Sequence, residues 1–325
     1  MRRREFIGLV GGALVPSAAL AQQPAKVARI GFLMFGTATA GTLRVEALRA
    51  GLNSLGYTEG KNVAFEFRWA ESPDQLLEFA RQLAALHVDV IFATSSTETG
   101  AARIATKTIP IVFATHADPV STGHVASLAR PGGNVTGLSV LQSDLTEKAL
   151  EILKEVTPKA TRFGVLANTL APSHASTMAA AELAAQRLGV ALYVVPVNEV
   201  EDYEDAFAKL SRADVHAVFV HATSLTARMR PELLAELALK QRLPSMFATR
   251  ENVLAGGLMS YSPDHLDLTR RAAVYIDKIL KGTKPADLPV EQASRYQLIV
   301  NLKTARALGF HIPPQIMARA DDVIE

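Results

Sequence analysis

The sequence contains no cysteine, and it also lacks the short motifs that mark the commonest catalytic sites. Without thiols the chain has no disulfide, no thiolate nucleophile and no cysteine-ligated metal. There is no G-x-S-x-G elbow, no G-x-x-x-x-G-K-[ST] phosphate loop, no G-x-G-x-x-G after a predicted strand and no H-E-x-x-H zinc motif. An α/β hydrolase is therefore a weaker interpretation than a protein that binds a ligand without changing it. We predict a protein without catalytic residues, metal or cofactor.

The first 21 residues combine positive charge with an apolar run. Three arginines precede the run, and Ala19-Leu20-Ala21 offers a cleavage site, so residues 1–21 are predicted to be a secretory signal peptide whose core is too short to span a membrane. Arg3-Arg4-Glu5-Phe6-Ile7 also resembles a twin-arginine export signal, with an ordinary Sec signal as the alternative. Either route predicts export to the periplasm.

The remainder of the chain carries little net charge. Removing residues 1–21 takes away three arginines and one glutamate, which lowers the formal charge from +2 to zero. No cluster of lysine and arginine remains that would bind nucleic acid or an anionic membrane. Since the chain also lacks the cysteine that lipid attachment needs, we predict a soluble periplasmic protein with no nucleic-acid partner and no stable membrane anchor.

Two apolar runs in the first half of the chain predict a ligand-binding edge. Residues 88–92 and 109–113 are rich in β-branched and aromatic side chains, and each run leads into Ala-Thr and small polar residues. Continuous apolar runs of this length are typical of strands buried on both faces of a parallel sheet. Ligands of such sheets bind beyond the carboxyl ends of the strands, where residues 94–97 and 115–118 lie.

The same alternation of apolar runs and helix-like segments fills the whole mature chain and occurs in two sets of similar size. Strands that alternate with helices of ten or more residues form parallel sheets with helices on both faces. The predicted fold class is therefore α/β, with two doubly wound parallel-sheet lobes.

Several motifs, taken in order along the chain, carry a family resemblance. They are Ile109-Pro110-Ile111-Val112-Phe113, Asp118-Pro119-Val120, Arg130-Pro131-Gly132-Gly133-Asn134-Val135-Thr136-Gly137, Ala255-Gly256-Gly257-Leu258-Met259-Ser260-Tyr261, Ile279-Leu280-Lys281-Gly282, Pro285-Ala286-Asp287-Leu288-Pro289-Val290 and Ala318-Arg319-Ala320-Asp321. With them the chain resembles the ABC-transporter substrate-binding protein family related to tryptophan/tyrosine-binding transport components.

The resemblance implies a type I periplasmic-binding-protein fold, in which two α/β lobes are joined by a three-segment hinge and hold a small-molecule ligand between them. It places lobe 1 at residues 26–141 and 263–290, and lobe 2 at residues 142–262 and 291–325. It also implies an ABC permease and its cytoplasmic ATPase as partners. In such a fold the ligand favours closure through contacts that it makes better in the closed state.

Polar residues at the predicted strand ends are the candidate ligand-binding residues. Hydroxyls and free backbone N–H groups next to helix starts suit a carboxylate or another anion. The candidates are Thr37, Ser95, Ser96 and Asp118 in the first lobe and Asn168, Thr223, Arg250, Glu251 and Tyr261 in the second.

Each candidate also has a purely structural interpretation. Ser95, Ser96 and Asp118 could cap helices, and Asn168 could be a turn residue. Tyr261 could belong to the core with its hydroxyl satisfied. Arg250 and Glu251 could be a solvated pair. The prediction depends on the agreement of several strand ends.

The chemistry of the candidates narrows the ligand. Amino-acid binders of the related branch tend to place an acidic residue where residues 221–224 stand, and an ammonium group needs a carboxylate partner. Asp118 and Glu251 could supply that carboxylate, and Arg250 suits a ligand carboxylate. We predict a small carboxylate-bearing or aromatic organic solute, with an amino acid as one option.

Two other functions fit parts of the pattern. A ligand-sensing subunit for a membrane receptor would use the same fold. His116, Asp118 and His124 form a histidine–carboxylate cluster that could bind a metal, although solvated loop histidines fit the pattern better. A DNA-binding regulator would need a helix-turn-helix where the predicted signal peptide stands.

Overall fold

The computed structural model describes residues 27–221, 223, 225–226 and 231–325. The predicted signal peptide and Lys26 lie outside them, as do Ala222 and Ser224. The strands are β1 Ala28–Phe35, β2 Val63–Ala70, β3 Val90–Ser95, β4 Ile111–His116, β5 Val135–Ser139, β6 Arg162–Ala167, β7 Ala191–Pro196, β8 Ala217–Val220, β9 Ser245–Phe247, β10 Met259–Pro263, β11 Glu291–Gln292, β12 Tyr296–Asn301 and β13 Asp322–Ile324. The helices are α1 Ala38–Ser54, α2 Pro73–Ala85, α3 Ser96–Ala105, α4 Gln142–Val156, α5 His174–Leu188, α6 Asp202–Arg212, α7 Pro231–Lys240, α8 Arg250–Leu254, α9 His265–Leu280, α10 Leu302–Leu308 and α11 Pro314–Met317.

A six-stranded parallel sheet forms lobe 1. Its strands lie in the order β2-β1-β3-β4-β5-β11. Side chains alternate between the two faces of a strand, so Ile30 and Phe32 of β1 pack under α1 and α9, whereas Leu33 and Phe35 pack under α2 and α3. Helices on both faces explain why β1 is apolar at nearly every position.

A seven-stranded sheet forms lobe 2, in the order β7-β6-β8-β9-β10-β12-β13. Helices α4 and α5 pack on one face, and α6 and α7 pack on the other. The predicted α/β class with two doubly wound parallel-sheet lobes is confirmed. One pair departs from the parallel pattern, because β12 runs antiparallel to β10. The chain enters β12 from the hinge, at the carboxyl ends of the parallel strands, and must run back along the sheet.

Three chain segments cross between the lobes, at residues 139–142, 263–265 and 292–296. Gln142 begins α4 after Leu141, which has a left-handed backbone with φ 48°. β11 pairs with β5, so the sheet of lobe 1 extends to Gln292, two residues past the predicted boundary. In the described part of the chain, no helix has both the length and the apolar composition that crossing a membrane requires.

Candidate functional site

A cavity of about 260 Å³ lies between the lobes, close to the lower end of the range for small-molecule sites, about 300 Å³. The first lobe lines it with the carboxyl ends of β1, β3 and β4 and with the N-terminal parts of α1, α3 and α9. The second lobe lines it with residues that follow β6, β8 and β9. The charged and polar lining residues are Arg44, Thr94, Ser95, Ser96, Thr97, Glu98, Thr115, Gln142, Ser173, Thr223, Thr226, Thr249, Glu251, Asn252 and His265.

The start of α3 presents hydroxyl and backbone N–H groups to this cavity. β3 ends at Ser95 and α3 begins at Ser96, so the strand leads into the helix without a loop. The first N–H groups of a helix lack partners within it and lie at the positive end of its dipole. The Ser96 hydroxyl accepts a hydrogen bond of 2.9 Å from the backbone N–H of Ala117, at the end of β4. A helix start of this kind favours an anionic group such as a carboxylate.

A buried carboxylate, Glu98, holds the loop ends beneath α3. One of its oxygens accepts hydrogen bonds of 2.9 Å from the backbone N–H of Phe35 and from the Thr94 hydroxyl. The other accepts from the Ser95 hydroxyl. Ser95 itself makes no side-chain capping bond to α3. Glu98 therefore ties the ends of β1 and β3 together, and its acceptor sites are largely used by the protein.

Arg44 brings a positive charge into the cavity from α1. Burial lowers the pKa of its guanidinium from the ordinary value, whereas the negative charges of Glu98 and Glu251 act in the opposite direction. An arginine keeps its charge even so. Among the described residues it has no hydrogen-bonded or ion-paired partner. A guanidinium with free donors at a cleft suits a carboxylate, which it can bind in a bidentate manner.

Two further ionisable side chains line the cavity, one from lobe 2 and one from the start of α9. Glu251, in the first turn of α8, lines the cavity from lobe 2. Burial, with a smaller contribution from the charge of Arg44, lowers the pKa of His265 to about 4, so this imidazole is neutral near pH 7. The cavity is therefore lined by the guanidinium of Arg44 and the hydrogen-bonded carboxylate of Glu98 from lobe 1 and by the carboxylate of Glu251 from lobe 2, with neutral donors and acceptors between them.

Four of the nine predicted ligand-binding residues line this cavity: Ser95, Ser96, Thr223 and Glu251. Thr223 is held in a tight turn, because its backbone N–H donates to the Thr226 hydroxyl at 2.8 Å and its hydroxyl accepts from the Thr226 backbone N–H at 3.2 Å. The structure thus brings strand-end residues of both lobes to one cleft.

The side chains of three other candidates are engaged in local structure. The Thr37 hydroxyl caps α1 by accepting from the Ala40 backbone N–H at 3.3 Å. The Asp118 carboxylate accepts from the Ser121 backbone N–H at 3.0 Å. The Asn168 side chain accepts from Leu170 in a turn, and the residue lines a smaller recess instead of the main cavity. Asp118 and Asn168 therefore have the capping and turn roles that the sequence offered as alternatives to ligand binding.

Arg250 and Tyr261 also lie outside the set that lines the cavity. Arg250 forms an ion pair of 2.6 Å with Asp322 of β13, and both side chains are partly exposed. Tyr261 lies in β10 at the hinge, packs against the cores of both lobes and stacks on Tyr296, with 5.8 Å between ring centroids. The cation at the cavity is Arg44 in place of the predicted Arg250.

The predicted histidine–carboxylate cluster does not assemble. His116 Nε2 lies 2.7 Å from His124 Nδ1, but the Asp118 carboxylate is used in its own turn. Burial lowers the pKa of His116 well below its usual range and that of His124 to about 4, so both are neutral near pH 7. The residues that the structure describes contain no group of three or more histidine or acidic side chains that could hold a metal ion.

Three site residues escaped prediction from the sequence: Arg44, Glu98 and His265. Arg44 has the appearance of a surface arginine on an amphipathic helix, and His265 of an ordinary first-turn residue. Glu98 did leave a signal, because Ser95-x-x-Glu98 matches the spacing of a capping box. In the structure the Glu98 carboxylate accepts from the Ser95 hydroxyl, which places it under the site.

Comparisons with known proteins agree with this architecture. A family model described as ABC transporter substrate binding protein matches residues 31–324. The tyrosine-binding protein of Clostridioides difficile (strain R20291) is 28% identical over 258 residues, which are 79% of this chain and 74% of that protein. The ABC domain in complex with L-Trp from Streptococcus pneumonia is 26% identical, with a TM-score of 0.85 over 91% of this chain and 99% of that chain. A substrate-binding protein with adhesive properties from Clostridium difficile, in its ligand-free, open structure, is also 26% identical, with a TM-score of 0.65 over 92% of this chain and 99% of that chain.

The L-Trp complex and the ligand-free, open structure are equally distant from this chain in sequence, but they differ in structural similarity to it. The one with L-Trp bound has the TM-score of 0.85, and the open one has 0.65. Movement about a hinge changes the relative position of two lobes far more than it changes either lobe. The relative position of the two lobes is therefore more similar to that in the L-Trp complex than to that in the ligand-free, open structure.

Proposed function

Because the chain belongs to the ABC transporter substrate-binding protein family, we propose that it is the exported solute-binding component of an importer. It works in the periplasm, closes about its hinge on a small organic solute and delivers it to an ABC permease with a cytoplasmic ATPase. The fold, the absence of the catalytic motifs sought in the sequence and the predicted signal peptide support this proposal. No reaction is assigned to the cleft.

The proposed ligand is a small carboxylate-bearing molecule, with an aromatic amino acid as the first candidate. Its carboxylate would bind Arg44 and the start of α3 at Ser95 and Ser96. An ammonium group, where present, would face Glu251, and Thr223 would contact the ligand from lobe 2. The relatives whose names report tyrosine and L-Trp as ligands support the amino-acid choice.

The observation that carries the proposal is the pairing state of Arg44. Arg250, for comparison, forms a partly exposed ion pair with Asp322. Arg44 lines the cleft, is desolvated and has no such partner among the described residues. Leaving a buried charge unpaired is costly, so a site that keeps one is built for a ligand that supplies the counter-charge.

The test compares two arginine variants by calorimetric titration and thermal shift. The probes are L-tyrosine, L-tryptophan, L-phenylalanine and benzoate. A bound ligand stabilises the wild-type protein by about 2.7 kcal/mol at a hundredfold excess over Kd. Arg44→Ala should weaken binding by about 2–5 kcal/mol, because the ligand carboxylate loses its charged partner in a closed cleft.

Arg250→Ala is the matched control, since it removes the same side chain from a partly exposed ion pair outside the cavity. We expect the affinity of this variant for the probes to stay within about threefold of that of the wild type, because exposed ion pairs contribute little to stability. Retained affinity in Arg44→Ala would contradict the assignment of the carboxylate site. The importer role is tested separately, by the loss of uptake of the bound solute in cells that lack the gene.

A further inference from the structure

A second recess, of about 20 Å³, lies in lobe 2 next to the main cavity. Gln142, Ala171, Ser173 and Thr223 line both spaces, so the recess adjoins the proposed ligand site. A volume of this size accommodates one oxygen-sized group. Its inner wall is formed by His221, at the end of β8, and by Thr177 of α5.

The polar side-chain atoms of His221 and Thr177 have no hydrogen-bond partner in the part of the chain that the structure describes. His221 and Thr177 are each 6% exposed, and neither ring nitrogen of His221 nor the Thr177 hydroxyl has a hydrogen-bond partner among the described residues. The His221 ring packs against Phe219, with 4.4 Å between ring centroids, which restricts its orientation. Buried polar groups are paired in nearly all native structures, so an unpaired set that faces one recess indicates a site for a polar group.

The charge state of His221 determines which kind of ligand group the recess can bind. Burial lowers the pKa of His221 to about 3, with a smaller contribution from His174, so the imidazole is neutral near pH 7. A neutral imidazole has one N–H donor and one acceptor nitrogen, and a threonine hydroxyl both donates and accepts. A carboxylate oxygen can only accept and an ammonium group can only donate, so either would leave part of the wall unpaired. A hydroxyl can donate to the acceptor nitrogen of His221 and at the same time accept from the Thr177 hydroxyl, so it matches the mixed donor and acceptor character of these two side chains.

We propose that the recess formed by His221 and Thr177 is a specificity subsite for a hydroxyl group of the ligand. The proposal rests on the proposed function, because the recess adjoins the cleft assigned to the solute. It narrows the ligand to a carboxylate-bearing solute with a neutral hydroxyl placed so that it reaches the end of β8. A site built to pair a hydroxyl discriminates strongly against the analogue that lacks it, because its own buried groups are then left unpaired.

The test measures affinity for pairs of compounds that differ by one hydroxyl at different distances from the carboxylate. The pairs are L-threonine and L-2-aminobutyrate, 4-hydroxybenzoate and benzoate, and L-tyrosine and L-phenylalanine. We expect the hydroxylated member of at least one pair to bind the wild-type protein about tenfold more tightly or better. Equal affinity within all pairs that bind would overturn the proposal.

Three variants assign that preference to the recess. Thr177→Val keeps the side-chain shape without the hydroxyl, and His221→Leu removes both nitrogens. Each should reduce the ratio of the two affinities within a pair to about threefold or less, because only the binding of the hydroxylated compound becomes weaker. His221→Gln keeps a donor and an acceptor and should retain a preference of about fivefold or more. An unchanged ratio in both Thr177→Val and His221→Leu would overturn the proposal.

Thermal unfolding checks that the variants fold. Neither Thr177→Val nor His221→Leu removes a side-chain hydrogen bond to another described residue, so their Tm should match or exceed that of the wild type. The two levels of failure are distinct. If none of the six compounds binds, the proposed function and the subsite fail together. If compounds without the hydroxyl bind as well as their partners, only the subsite fails.

Discussion

Replacing Glu98 tests how lobe 1 holds the proposed binding loops in place. This carboxylate is 2% exposed and accepts three hydrogen bonds, from the Phe35 backbone and from the hydroxyls of Thr94 and Ser95. A hydrogen bond to a charged group contributes about 1.5–3 kcal/mol. Glu98→Leu removes the acceptor of all three hydrogen bonds, and we expect it to lower the free energy of unfolding by about 3–5 kcal/mol.

Glu98→Gln separates hydrogen bonding from charge. The amide oxygen can still accept from Phe35 and Thr94, and the Ser95 hydroxyl can rotate to accept from the amide nitrogen. Only the charge assistance is lost, so the expected decrease is about 1–2 kcal/mol. Glu46→Gln is the control, because Glu46 is exposed on α1 and its replacement should change stability by less than about 0.5 kcal/mol.

The assay is urea unfolding followed by the fluorescence of Trp69, the only tryptophan in the chain. Trp69 lies in β2 of the same lobe, with its ring stacked on Phe67 at 5.8 Å between centroids, so its emission reports the unfolding of lobe 1. A Glu98→Leu variant within about 1 kcal/mol of the wild type would refute the reasoning. So would a Glu98→Gln variant as unstable as Glu98→Leu.

Two further predictions concern pH and packing. Burial lowers the pKa of His221 to about 3 and that of His116 well below its usual range, so the unfolded chain binds more protons as the pH falls from 6.5 to 5. The free energy of unfolding should therefore decrease across that window, by about 1.7 kcal/mol from His221 and by a further amount from His116. Urea titrations at both pH values measure this, and equal stability at the two would contradict it. Gly137→Ala should cost about 3 kcal/mol, because φ is +147° and a Cβ would lie 2.0 Å from the Phe113 carbonyl oxygen. Gly133→Ala, with nothing within 4 Å, should cost less than about 0.5 kcal/mol in the same unfolding assay.

The fold could be predicted from the sequence because its main signals are local. Residues 88–92 and 109–113 are apolar at every position save one polar residue and one proline, and strands with helices on both faces require such runs. The ends of those strands were predictable for the same reason, and so was the place of Ser95 and Ser96 at the cleft. The reversed direction of β12 was not, because it depends on the path that the chain takes through the hinge.

The partners of charged side chains could not be predicted in this way. Arg250 was the arginine proposed for a ligand carboxylate, but it pairs with Asp322, which is 72 positions away in the sequence. Arg44 faces the cleft because α1 packs against α9 and the cavity lies at the junction of the two lobes. Neither contact leaves a pattern of spacing, since each depends on sheet order and on the angle between the lobes.

The stacked rings of Tyr261 and Tyr296 have a consequence for how the protein denatures. Tyr261 lies two residues before one crossing segment and Tyr296 at the end of another, and Tyr261 packs against apolar clusters of both lobes. Melting either half would strip contacts from the other, so neither is thermally independent. Calorimetry should therefore record a single cooperative heat-absorption peak, although the polypeptide is organised around two separate sheets.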